Sequence, residues 1–117
     1  MTRIIYYTTI SAESPPRNFI QSLSAVQKAK VSRIFTYIEI YGLITAIRHI
    51  KKLTGKPLWE IRILGQDSIR VIYATVEKDS ILVLHGFIKK SQKTPTREIN
   101  TALDRFNEWI NRREKGV

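Results

Sequence analysis

The side chains this chain can use for chemistry are arginines, lysines and two histidines. It contains no cysteine, which excludes disulfides, zinc–cysteine sites and thiol nucleophiles. His49 and His85 are far apart, and no Asp/Glu cluster has ligand spacing, so the sequence gives no basis for a metal or other cofactor. The five glycines are scattered rather than gathered into a phosphate loop, and no nucleophile elbow occurs. Such a set of side chains suits RNA cleavage through its own 2′-hydroxyl. That reaction needs the 2′-oxygen deprotonated, the charge on the phosphorus oxygens neutralised, and the leaving 5′-oxygen protonated. Fixed cations meet the second need, and a lysine or histidine with a lowered pKa the first or third.

Where those cations fall is set by the stretch from Trp59 to Arg97. It predicts three consecutive antiparallel strands, at about 59–64, 69–76 and 81–88, running into a lysine-rich loop. Gly65-Gln66-Asp67 suits a three-residue hairpin loop and Lys78-Asp79 a two-residue one. With Leu64 facing Ser68 and Glu77 facing Ser80, side chains alternate between two faces. One face collects Ile61, Ile63, Ile69, Val71, Tyr73, Leu82, Leu84, Gly86 and Ile88. The other collects Glu60, Arg62, Arg70, Ile72, Ala74, Val83, His85, Phe87 and Lys89. In that register Arg62 stands opposite Arg70, which is destabilising unless something anionic lies between them. The pair points to an anion site rather than a salt bridge, Glu60 being the only nearby acid on that face. Taken alone, a strand histidine such as His85 is more often structural than catalytic. Lys89, Lys90 and Lys93 leave the strand that carries His85 and precede a helix. Phosphate contact there is as natural as a solvated loop.

The net charge of +10, from 20 Lys+Arg against 10 Asp+Glu, calls for a polyanionic partner, usually nucleic acid. The charge is concentrated. Residues 40–58 hold Arg48, Lys51, Lys52 and Lys56 without an acid, and residues 81–97 hold Lys89, Lys90, Lys93 and Arg97 without one. Hydrophobic content of 43% is that of a chain that folds, and 117 residues make one domain, 1–117. No apolar run reaches the roughly 20 residues of a membrane span. Met1-Thr2-Arg3 leads into a strand-like segment rather than a signal peptide, so a cytoplasmic protein is expected.

The remaining elements must support this sheet. Residues 3–10 read as an opening strand. Ser14 as N-cap and Pro15 begin a short helix to near Leu23 that buries Phe19, Ile20 and Leu23. A longer helix over about 25–41 turns Val31, Ile34, Phe35, Ile38 and Tyr41 inward, and Gly42 ends it in the αL conformation. Residues 43–57 form a short helix or turn, with Ile44, Ile47, Ile50 and Leu53 at helical spacing. Thr94-Pro95 opens a last helix to about 113, striped by Ile99, Leu103, Phe106 and Ile110. The helix pair covers the apolar sheet face and is also a natural place for a partner protein to dock.

LWEIRI, IRVIY and, most specifically, ILVLHGFIKKSQKTPTREI resemble the RelE/ParE superfamily of toxins, in particular its phage-derived HigB-like branch. The resemblance spans nearly the whole chain. It implies an α+β, RelE-like fold of order β-α-α-β-β-β-α, with an antiparallel sheet packed against helices. It also implies a type II toxin that cleaves mRNA on the ribosome without a metal or other cofactor and so inhibits translation. The partners implied are the ribosome and mRNA, and a cognate helix-turn-helix antitoxin encoded nearby that forms a hetero-oligomer with the toxin. By position, Arg70 matches the arginine that contacts the scissile phosphate. Arg62 lies in a strand where relatives carry basic residues, and Lys90 where another catalytic basic residue is usual. Thr96 or a neighbour replaces a tyrosine of some members, which makes His85 or a lysine the candidate general base. Lys52, Lys56, Lys89 and Lys93 would hold flanking RNA. Two other readings share these features: a ParE-like inhibitor of DNA gyrase, and a nucleic-acid-binding domain without catalysis.

Overall fold

The computed structural model describes residues 1–63, 68–90 and 93–116. The elements in chain order are β1 (Arg3–Tyr6), α1 (Pro15–Gln21), α2 (Ala25–Tyr41), a 3-10 helix (Leu43–His49), β2 (Ile50–Lys52), β3 (Trp59–Ile63), β4 (Ile69–Glu77), β5 (Ser80–Ile88) and α3 (Thr96–Gly116). They build an α+β domain around one five-stranded sheet of order β1-β5-β4-β3-β2. The sheet is mixed rather than antiparallel: β1 lies at the edge beside β5 and runs parallel to it. A parallel neighbour needs a long crossover, and the chain from α1 to β4 supplies it. β1 is also shorter than the β propensity of residues 3–10 suggests.

α2 starts where its polar signals place it. Ser24 accepts from the Gln27 backbone while the Gln27 side chain accepts from Ser24 N–H, a capping box. Ser14 precedes α1, but its hydroxyl donates to the Tyr7 carbonyl instead of capping the helix. Gly42 ends α2 with φ 90° and ψ 172°, a glycine conformation but not αL. The segment after it is not simply a helix or turn. The 3-10 helix passes directly into β2, which pairs antiparallel with β3.

The β3–β4–β5 core follows the expected pairing, with Arg62 opposite Arg70 and Glu77 opposite Ser80. The Gly65-Gln66-Asp67 turn and the Leu64–Ser68 pair lie outside the described residues. One feature overturns part of the face assignment. The pairing steps from Ile72–His85 to Tyr73–Val83, so Leu84 is an extra residue in a β-bulge. Beyond it the parity of β5 is reversed. Ile81 and Val83 pack with Ile61, Ile63, Val71 and Tyr73 under α1 and α2, whereas Leu82 and Leu84 join Ile72, Ala74 and Phe87 on the opposite face.

That opposite face is not left open for a ligand along its whole width. α3 lies over its β5 side, burying Ala102 and packing Ile99, Leu103, Phe106 and Trp109 against Leu82, Leu84 and Phe87. Full burial of a large side chain contributes about 1.5–3 kcal/mol, and the partly buried Ile99, Leu103, Phe106 and Trp109 each add a share of that to hold α3 on the sheet. The side towards β2 and β3 stays accessible. Among the described residues no helix is long and apolar enough to cross a membrane.

Candidate nucleic-acid interface

Residues opposed across antiparallel strands share a face, so the register puts Lys51, Glu60, Ile72 and His85 in one row across β2 to β5. The next row is Arg62, Arg70 and Phe87. Lys89 continues the same alternation beyond Phe87, fixed by its N–H donating to the Ser68 carbonyl at 3.0 Å. Arg62, Arg70, Lys51 and Lys89 therefore gather at the part of the face that α3 leaves uncovered.

Glu60 stands at their centre. It is fully buried, and its Oε1 lies 3.5 Å from Arg70 Nε and 3.8 Å from Arg62 Nε. The anion expected between the opposed arginines is thus partly supplied by the chain itself. The salt-bridge role set aside in favour of an anion site is present after all. Neither Nε makes a hydrogen bond, and neither does Glu60 Oε1; all three atoms are buried and face one another as an ion pair. Arg70 spends one N–H on the Ile69 carbonyl at 3.1 Å. Glu60 Oε2 accepts from the Thr94 hydroxyl, tying the start of the last helix to the floor of the site. Four cations around one carboxylate leave a net excess of three positive charges.

Burial lowers the Arg70 pKa, Glu60 opposes that shift and Arg62 adds to it. Arginine remains charged in any case. The Lys89 ammonium is also pulled below its ordinary value, first by burial. Glu60 works against that shift, while Arg70, Arg62 and Lys51 add to it.

His85 shares this face but lies where α3 covers it. Its Nε2 lies 2.7 Å from Glu98 Oε1, and its Nδ1 3.1 Å from Arg105 Nη1, both partners on α3. Arginine can only donate, so Nδ1 accepts and Nε2 carries the proton that goes to Glu98. Burial lowers the His85 pKa against the pull of the Glu98 hydrogen bond, and Arg105 adds to the lowering. The ring stacks on Phe87 at 5.6 Å. Arg105 also donates to the Leu84 carbonyl, the group freed by the bulge. Both ring nitrogens are spent inside the protein.

Lys90 is exposed just past β5, out of step with Lys89. Lys93 is exposed shortly before α3. Lys52 donates to the Lys56 carbonyl and lies 5.3 Å over the Trp59 ring, at the outer edge of the sheet. Lys56 is exposed in the turn between β2 and β3. The structure therefore joins Arg62, Arg70 and Lys89, leaves Lys52, Lys56, Lys90 and Lys93 around them, and separates His85. The sequence reading counted Lys51 in a basic cluster without placing it at the site, and gave Glu60 too small a part. The alternation of two residues around Arg62 contained the signal for Glu60. Thr94, Glu98 and Arg105 had none, because their roles depend on how α3 crosses the sheet. Among the described residues no cluster of three or more His, Asp or Glu side chains could hold a metal.

No curated protein matches this chain. A family model does, over residues 18–107, from within α1 through the basic sheet face to the middle of α3. On that match the chain belongs to the phage-derived Gp49-like proteins (DUF891), within the RelE/ParE-like toxin superfamily.

Proposed function

We propose that this chain is the toxin of a type II toxin–antitoxin system and a metal-independent mRNA endonuclease of the RelE and HigB type, acting on the ribosome. Its family is associated with toxin–antitoxin toxins. The observation that carries the reading is the grouping of Arg62, Arg70 and Lys89 around the buried Glu60, beside α3. Two guanidiniums fixed side by side on adjacent strands, their Nε atoms turned in towards Glu60 and their side chains 39% and 12% exposed, are suited to a phosphodiester.

In this reading Arg62 and Arg70 bind the non-bridging oxygens of the scissile phosphate. The neutral-amine fraction of Lys89, which burial favours, takes the 2′-hydroxyl proton. The 2′-oxygen then attacks phosphorus while the bond to the 5′-oxygen breaks, and the departing 5′-oxygen takes a proton from water, giving a 2′,3′-cyclic phosphate and a 5′-hydroxyl. Lys90 and Lys93 hold the RNA on one side and Lys51, Lys52 and Lys56 on the other. His85 is a positioning residue that locks β5 to α3. The partner that restrains the toxin is a helix-turn-helix protein encoded nearby.

Mapping mRNA 5′ ends in cells after brief induction tests this directly. New ends inside translated reading frames, absent with Arg70→Ala, are the expected result. Growth arrest without new ends would replace the reading with inhibition of another target such as gyrase.

A further inference from the structure

On the far side of the sheet from the arginines, the surface carries apolar side chains that the fold does not use. Tyr37, Ile40 and Tyr41 on α2, with Ile44 and Ile47 on the 3-10 helix, are between 50% and 73% exposed. Tyr41, expected to turn inward, is exposed at the last position of α2, and Ile44 and Ile47 are exposed on the 3-10 helix beyond Gly42. The Tyr37 and Tyr41 rings lie 6.2 Å apart, and Tyr41 and Ile44 line one shallow hollow, so these three sit side by side. A contiguous apolar surface of this kind on a small charged domain marks an interaction site.

Next to it is a hollow of about 380 Å³ between α2 and the 3-10 helix, which Tyr37 also lines. Its floor includes Ile34, Ala46 and Ile63, and its rim carries Lys30 and Arg33. Among the described residues no carboxylate lies within ion-pair distance of either cation. His49 also lines the hollow, and its Nδ1 is buried with no hydrogen-bond partner. The site thus offers apolar contacts, two unspent cations and one unsatisfied ring nitrogen. Nucleic acid would waste the apolar patch.

We propose that the C-terminal half of α2, the 3-10 helix and the hollow between them dock an acidic amphipathic segment of a separate protein. Apolar side chains of that segment cover Tyr41 and Ile44, and one enters the hollow. Its carboxylates meet Lys30 and Arg33. The identification of that protein as the restraining partner rests on the toxin reading. The site lies on the sheet face opposite the RNA-binding cations, so docking here need not compete with RNA for Arg62 or Arg70.

The test is to co-express the full chain with the protein encoded beside its gene and map amide hydrogen exchange in the purified complex. Residues 34–49 are expected to gain protection. Ile44→Glu and Arg33→Glu, both at exposed positions, should each weaken binding about tenfold or more by calorimetric titration with unchanged thermal melting. Arg70→Ala should bind as the parent does. Protection confined to residues 50–97, or unchanged binding by both variants, overturns the proposal. So does self-association abolished by Ile44→Glu, which would give the patch to a second copy of the chain. Failure to form any complex overturns it as well, while mRNA cleavage lost with Arg70→Ala would stand independently.

Discussion

At the scale of single residues, the site rests on a carboxylate that no incoming phosphate can reach directly. Glu60 is buried beneath two arginines that would otherwise repel each other across the ladder. Glu60→Gln keeps the shape and the Thr94 contact but removes the charge. Breaking a fully buried pair costs about 3–5 kcal/mol, and the partial exposure of Arg62 (39%) reduces this to about 2–3 kcal/mol. Urea unfolding should show a loss of that size, together with weaker cleavage because the guanidiniums are no longer held. Unchanged stability would mean that Glu60 compensates neither arginine. His85 gives a different signature. Its folded pKa lies below the ordinary 6.5, so the unfolded chain binds the proton more readily. Stability is therefore unaffected above about pH 6.5 and declines as pH falls through 6.5 towards the lower folded value. Protonation would also set a cation against Arg105 and remove the acceptor it uses. Melting temperature measured from pH 7.5 down to pH 5 should fall below pH 6.5 in the parent and fall less steeply in His85→Gln.

At the scale of elements, what could be read in advance was whatever repeats locally. The α2 boundaries, the three adjacent strands and the Arg62–Arg70 opposition all follow from side-chain period and turn chemistry. The bulge at Leu84 does not, since an extra residue in a run as apolar as ILVL leaves no mark in its composition. That one insertion moved Leu82, Leu84 and Val83 to unexpected faces. It also gave α3 the apolar floor it packs on, and so narrowed the open face to the cations. β1 was equally hidden, because parallel pairing with β5 is a long-range choice. Gly86, by contrast, kept its predicted place on the face under α1, and the structure gives the reason for a glycine there. A Cβ at residue 86 would overlap the ring of Phe19. Gly86→Ala should therefore cost about 1–3 kcal/mol, since the ring is packed against the core and cannot swing out freely. A fall of several degrees in melting temperature is expected, with partial recovery when Phe19→Leu is added. Equal melting of Gly86→Ala and the parent would show that the α1–sheet contact is looser than described.

At the scale of the whole molecule, the two sides of the sheet do different work. One is apolar and covered by α1 and α2, with an unpartnered patch beyond them. The other is divided between α3 and the cationic row. The net charge of +10 is large enough to draw any polyanion, so affinity alone does not establish a site. Salt dependence does, because each phosphate neutralised at the site releases counterions. For single-stranded RNA the slope of log affinity against log salt is about −0.7 per phosphate contact. If Arg62, Arg70 and Lys89 each engage one phosphate, together they account for about −2 of the slope. Arg62→Ala should then make the slope shallower by about 0.7 in an anisotropy titration with a short RNA. Lys28→Ala, on the exposed surface of α2, should leave it unchanged. Equal slopes for Arg62→Ala and the parent would show that RNA is held by diffuse charge. The opposed arginines would then serve the fold alone, and the chemistry would have to be sought on another surface.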